Sequence, residues 1–227
     1  MIRIAIDGFS STGKSTLAKQ LASHLGYVFV DTGAMYRAVT LFAIQNNCIE
    51  NEVLNSEKLL QSLPKISLHF EFNAALGFAE IFLNNKNVSS EIRNLEVSNY
   101  VSQVAEISAV RAKLVEQQQQ MGEKKGIVMD GRDIGTVVFP DAELKIFMTA
   151  SPDIRAQRRY DELVSKNEKV SFEAIFENVQ KRDYIDTHRH DSPLRKADDA
   201  IEIDNSYLSK DEQFKLVLEL VDDVINS

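Results

Sequence analysis

The sequence predicts an α/β fold, with a five-stranded parallel sheet flanked by helices, a small antiparallel β-rich insert and a short helical lid. Three observations carry that expectation. Short apolar runs alternate with helix-period segments along most of the chain, which is the pattern of a parallel sheet covered on both faces. Ile66 to Phe72 and Phe78 to Leu83 instead alternate apolar and polar residues at every second position, with Asn73 to Gly77 and Asn84 to Asn87 as turns. The lid is read over about 155–170, where Arg155, Arg158 and Arg159 share a helix face that opens the polar stretch Tyr160 to Lys169.

Strands are expected at Ile2 to Ile6, Tyr27 to Val30, Ile127 to Met129, Leu144 to Met148 and Ile201 to Ile203, each short, apolar and bounded by polar residues or glycine. Helices fall near 15–25, 34–46, 91–107, 109–122, 152–164, 172–188 and 210–225. In the first of them Leu17, Leu21 and Leu25 recur every four residues, and Gly26 stands where a left-handed residue would close the helix. Ser151-Pro152 reads as an N-cap followed by an N1 proline, and Ser209 with Glu212 as a capping box. Four glutamines at 117–120 read as the solvated face of a helix. The core is expected over 1–61 and 94–227, with the lid inside it and the insert over 62–93.

Directly after the first strand stands Gly8-Phe9-Ser10-Ser11-Thr12-Gly13-Lys14-Ser15, a complete G-x-x-x-x-G-K-[ST] phosphate loop, followed by Thr16. Strand, glycine turn and helix start aim backbone N–H groups and the positive helix end at one anion. A nucleoside triphosphate is the expected ligand, held by residues 8–16, but the loop does not fix the reaction. After the second strand, Asp31 or Thr32 can cap a helix whose first turns carry Tyr36 and Arg37. Taken alone, this is equally a plain capped helix start. At the end of the third strand, Asp130 stands where a carboxylate would hold Mg²⁺ through water, and Arg132 follows it toward the same crevice; with Gly131 and Gly135 beside them, a plain strand-end turn is the other reading.

The chain has a formal charge of −8, which argues against a general nucleic-acid binder. Seven of its eleven arginines nevertheless lie between Arg132 and Arg195, so local anion binding is expected within an acidic protein. Cys48 is the single cysteine, so no internal disulfide can form, and nothing beside it suggests activation. No apolar run has the roughly 18 residues of a membrane span, and no signal peptide is expected, because the opening residues lack its charged and apolar regions. A cytoplasmic monomer, with neither membrane nor nucleic acid as partner, is expected. His24, His69, His188 and His190 show no metal-ligand spacing.

The phosphate loop, Asp31-Thr-Gly-Ala-Met-Tyr-Arg37, Asp130-Gly-Arg-Asp-Ile-Gly-Thr-Val-Val-Phe-Pro140 and Arg182-Asp-x-x-Asp186-x-x-Arg189 together resemble the bacterial cytidylate kinases of the long form, which are P-loop nucleoside monophosphate kinases. The resemblance spans essentially the whole chain. It implies transfer of the ATP γ-phosphoryl group to CMP or dCMP, with the 62–93 segment as the CMP-binding insert. It assigns Arg37 and Arg132 to the acceptor phosphate, Asp186 to the ribose hydroxyls, and Ser102, Arg111 and Asp133 to cytosine. Asp31, Thr32, Tyr36, Arg182 and Arg189 join the acceptor side.

The residues suit that chemistry, because phosphoryl transfer asks for positioning and charge neutralisation. Lys14 would bridge the donor phosphates, Ser15 would reach Mg²⁺, and Arg158 or Arg159 would close over the transferred group, with Arg132 and Arg189 also placed in the catalytic set. A UMP or AMP kinase, or a nucleotide-dependent switch, are the alternative readings.

Overall fold

The computed structural model describes residues 1–75 and 77–226; Leu76, within the expected Asn73 to Gly77 turn, and Ser227 lie outside them. In chain order the elements are β1 (Arg3–Gly8), α1 (Lys14–Leu25), β2 (Val28–Asp31), α2 (Thr32–Gln45), β3 (Ile49–Glu50), β4 (Val53–Leu54), α3 (Ser56–Ser62), β5 (Leu68–Asn73), β6 (Phe78–Leu83), β7 (Lys86–Asn87), α4 (Leu95–Glu106) and α5 (Ser108–Met121). They continue with β8 (Ile127–Gly131), β9 (Leu144–Thr149), α6 (Pro152–Ser165), α7 (Phe172–His188), β10 (Ile201–Asp204) and α8 (Lys210–Asn226). Two compact units result: Met1–Val30 with Gln119–Ser227, and Asp31–Gln118.

The first unit is built on the predicted five-stranded parallel sheet, in the order β10-β9-β1-β8-β2. The middle strand β1 pairs in parallel with both β8 and β9 along its edges, and consecutive residues Ile4, Ala5 and Ile6 are fully buried, so both faces of its apolar run are covered. Leu17 and Leu21 of α1, Val217 and Val221 of α8, and Leu144, Ile146 and Met148 of β9 join the same core. Each large side chain removed from water in this way contributes about 1.5–3 kcal/mol. The core therefore fixes the frame from which the strand ends project.

Helix α1 ends as its sequence predicts: Gly26 is left-handed at φ 68°, and its N–H donates to the Ala22 carbonyl. Ser151 Oγ caps α6 by accepting from the Ile154 N–H, and Ser209 and Glu212 form the reciprocal capping box at α8. A turn of π-helix at Ile134–Val138 was not foreseen. It places the Val138 and Phe139 N–H groups on the carbonyls of Asp133 and Ile134, five residues back.

The second unit contains the predicted insert as a three-stranded antiparallel sheet, β5-β6-β7, with Leu68 opposite Leu83 and Asn73 opposite Phe78. Three expectations need correction here. Helix α2 starts at Thr32 rather than 34, because Asp31 takes the cap, and α4 starts at Leu95 rather than 91, because Asn94 caps it by accepting from the Val97 N–H. The short helix α3 and the β3–β4 pair were missed. The glutamines at 117 and 118 are not a solvated face: Gln118 is buried, and the Gln117 amide donates to the Leu68 carbonyl at 2.7 Å. Lys113 of the same helix donates to the Leu63 and Ile66 carbonyls, so α5 pins the chain where it enters the insert.

Candidate active site

In the first unit the phosphate loop leaves β1 through Gly8 at φ 141°, passes Ser11 and Gly13 at positive φ, and opens α1 at Lys14. The Phe9 carbonyl accepts from Lys14 Nζ at 2.5 Å and from the Thr12 hydroxyl at 3.0 Å. The Ser10 carbonyl accepts from Arg155 and the Thr12 carbonyl from the Asn205 amide, while the Thr16 N–H donates to Gly13. The loop carbonyls are thereby turned toward protein donors, which leaves its N–H groups as the polar face for a ligand.

Burial holds the Lys14 ammonium well below its ordinary pKa, and the nearby Arg132 and Arg182 guanidiniums push it the same way, against Asp130 and Asp7. Two guanidiniums and two carboxylates thus act on the Lys14 ammonium with opposite signs. The cations among them are stabilised by a multiply charged anion. Next to Lys14, the Ser15 hydroxyl donates to Asp130 Oδ2 at 2.7 Å, so a hydroxyl and a strand-end carboxylate stand together as hard oxygen donors. Among the described residues no group of three or more His, Cys, Asp or Glu side chains could hold a metal. A Mg²⁺ ion fits the Ser15–Asp130 pair in the usual way, with few protein oxygens and the remaining ligands from phosphates and water.

Around the end of β8 the predicted acceptor residues are joined to one another. Arg132 Nε donates to Asp186 Oδ2 at 2.8 Å, and Asp133 lies 3.6 Å from Arg189. Burial alone would raise the Asp186 pKa, yet the Arg132, Arg182 and Arg189 guanidiniums hold it below the usual carboxylate range. Arg189 also donates through Nε and Nη2 to the Ser192 carbonyl. Arg182, Asp186 and Arg189, spaced four and three residues apart along α7 and at its cap, form one charged face with Arg132.

The three arginines of α6 part company. Arg158 donates to the side chain and the main-chain carbonyl of Asn205, and Arg159 pairs with Glu162. Arg155 is buried: it forks onto Asp183 at 3.0 and 2.6 Å, donates to the Ala150 carbonyl and lies over the Phe9 ring. The segment Ile203 to Ser206 after the last strand is visible in the sequence, but the contacts of Asn205 within it are not, since its partners lie 47 and 193 residues away.

The second unit holds the other predicted residues. Asp31 Oδ1 caps α2 by accepting from the Ala34 N–H, while Oδ2 receives Arg37 at 2.8 Å and Arg93 at 3.0 Å. Arg93 was not foreseen, being one arginine in a short polar turn. Thr32 and Ser102 are buried, and the Arg111 guanidinium lies over the Tyr36 ring with Nη1 donating to the Ala105 carbonyl. His24 packs edge-on against Phe214 and His69 stacks on Phe82, as ordinary polar aromatics do.

A family model described as cytidylate kinase matches residues 4–223. A cytidylate kinase of Flavobacterium psychrophilum is 70% identical over 223 residues, covering 98% of this chain and 99% of the relative. Its counterpart in Flavobacterium johnsoniae is 69% identical, covering 99% and 97%. Among solved structures, one described as an uncharacterized protein from Eubacterium ventriosum has a TM-score of 0.50 at 14% identity, covers 98% of each chain, and supports the fold alone.

Proposed function

The chain belongs to the cytidylate kinase family and transfers the γ-phosphoryl group of ATP to CMP, and on that premise we propose how its residues divide the work. The observation that carries the assignment is a phosphate loop that opens α1 at Lys14, with Ser15 bonded to Asp130 and Arg132 bonded to Asp186 at the end of β8. The loop residues 8–16 wrap the ATP phosphates with backbone N–H groups, and Lys14 leaves the Phe9 carbonyl for the donor oxygens. Mg²⁺, bound at Ser15 and through water at Asp130, would supply charge neutralisation on those phosphates.

Arg37 and Arg132 take the acceptor phosphate of CMP or dCMP, with Asp31, Thr32, Tyr36, Arg182 and Arg189 supporting that side. Asp186 takes the ribose, and Ser102, Arg111 and Asp133 read cytosine. Arg158 and Arg159, on a lid of about 155–170, close over the transferred group, and 62–93 forms the acceptor insert within a core of 1–61 and 94–227. No helix among the described residues is long and apolar enough to cross a membrane, and the reading is of a cytoplasmic monomer.

An acceptor panel tests this. ATP turnover is expected to rise at least a hundredfold with CMP and far less with UMP or AMP, and Lys14→Ala is expected to lose that turnover while remaining folded. Equal acceleration by all three acceptors, or near-normal CMP phosphorylation by Lys14→Ala, would overturn the site assignment.

A further inference from the structure

Asp7 is the last side chain before the phosphate loop, and the division of labour above leaves it without a task. It is buried in the sheet's central strand, where a carboxylate is costly unless it is fully used. Both oxygens are used: Oδ1 accepts from the Ile134 N–H at 2.8 Å and Oδ2 from the Gly135 N–H at 2.7 Å. These are the opening N–H groups of the π-helical turn, which have no partner inside the turn itself. An ionised carboxylate, with two acceptor oxygens and no donor, matches that pair of donors as no neutral side chain of its size does.

The residue immediately before this turn is Asp133. Its carbonyl accepts from Val137 and Val138, and its carboxylate faces Arg189. The Asp133 backbone is thus held from the following side by the turn's own bonds, and the turn is anchored by Asp7. Lys145 grips the far end, donating to the Pro140 carbonyl and to Asp199. The two buried carboxylates, Asp7 and Asp133, repel each other, which is a poor arrangement for stability alone. We propose that Asp7 is a positioning residue which, by clamping the Ile134 and Gly135 N–H groups, sets the aim of the Asp133 carboxylate and so tunes the preference for cytosine over uracil. The inference rests on the reading of Asp133 as a base contact. Cytosine offers an amino donor where uracil offers a carbonyl, so a carboxylate held off its line gains less from the first and repels the second less.

The test is Asp7→Asn, whose amide can accept from one N–H but turns an NH₂ toward the other. Steady-state kinetics with CMP and UMP, together with binding of a non-hydrolysable ATP analogue, separate the outcomes. The CMP-over-UMP ratio of kcat/KM is expected to fall about three- to tenfold, chiefly through the KM for CMP, with affinity for the analogue within twofold of wild type. An unchanged ratio, or a change confined to analogue affinity, overturns the inference.

If Asp7→Asn does not fold, Gly135→Ala takes its place. The new Cβ would crowd Lys145 Cδ and Cγ at 3.2 and 3.3 Å and meet Asp7 Oδ2 in ordinary contact at 3.4 Å, so the turn must shift at Gly135 against Lys145 while the carboxylate is kept, and the ratio is expected to fall in the same direction. A full ratio in that variant likewise overturns the inference. Asp133→Ala serves as the reference. A full ratio there removes the base-contact reading and this inference together, whereas a lowered ratio there beside a full ratio in Asp7→Asn removes only the role of Asp7.

Discussion

Replacing Arg155 by alanine is expected to cost far more stability than replacing Arg159, four residues along the same helix. The Arg155 side chain is 3% exposed and its partner Asp183 19%, and the guanidinium makes four hydrogen bonds, two of them forked onto that carboxylate. Its removal strands Asp183 and leaves the Ala150 and Ser10 carbonyls without these donors. Breaking a buried pair costs about 3–5 kcal/mol, and the partial exposure of Asp183 places this one near 3. For a chain of this length each kcal/mol moves the melting temperature by about 2–4 °C, so a fall of roughly 6–12 °C follows. Arg159 pairs instead with Glu162, 40% exposed and one helical turn away, a contact of about 0–1 kcal/mol. Differential scanning calorimetry of both variants, with Asp183→Ala and the double variant to complete the cycle, measures the difference directly. Melting temperatures within a degree or two of each other, or no coupling between positions 155 and 183, would refute the reasoning.

Two further outcomes follow from the same geometry. Burial pushes the Asp7 carboxyl up to about 6 from 3.8, against its two backbone hydrogen bonds, so the folded state binds this proton more tightly than the unfolded chain. The resulting penalty is absent below pH 4 and complete above pH 6, at about 3 kcal/mol, so Asp7→Asn should gain stability relative to wild type as pH rises through that window; denaturation at pH 4, 5, 6 and 7 giving a constant difference would count against it. Hydrogen exchange over 155–170 should slow more with an ATP analogue and CMP together than with either alone, and equal protection by the analogue by itself would argue against a lid that needs both.

The sheet and its helices were readable because burial on both faces leaves unbroken apolar runs, as in Ile2 to Ile6, and because caps such as Gly26 and Ser151 act through neighbours a few residues away. The phosphate loop was legible for the same local reason. What escaped notice depends on partners far along the chain. Gln118 carries no mark that distinguishes a buried glutamine from a solvated one. Arg155 looks like Arg158 and Arg159 until Asp183, 28 residues later, is seen to claim it. The π-turn at 134–138 is held by an aspartate 127 residues earlier, and no spacing rule reaches that distance.

Gly8 opens a motif named for its ligand, yet its identity answers to a different neighbour. A Cβ on that residue would come 2.0 Å from the Met148 carbonyl oxygen of the adjoining strand, and its φ of 141° suits glycine in any case. The register of β1 against β9, which pairs Gly8 with Met148, therefore forbids a side chain before any nucleotide arrives. In the history of such a chain the first glycine is a debt to the architecture. A descendant that abandoned nucleotides altogether would still have to keep it, or re-register an inner strand of its sheet.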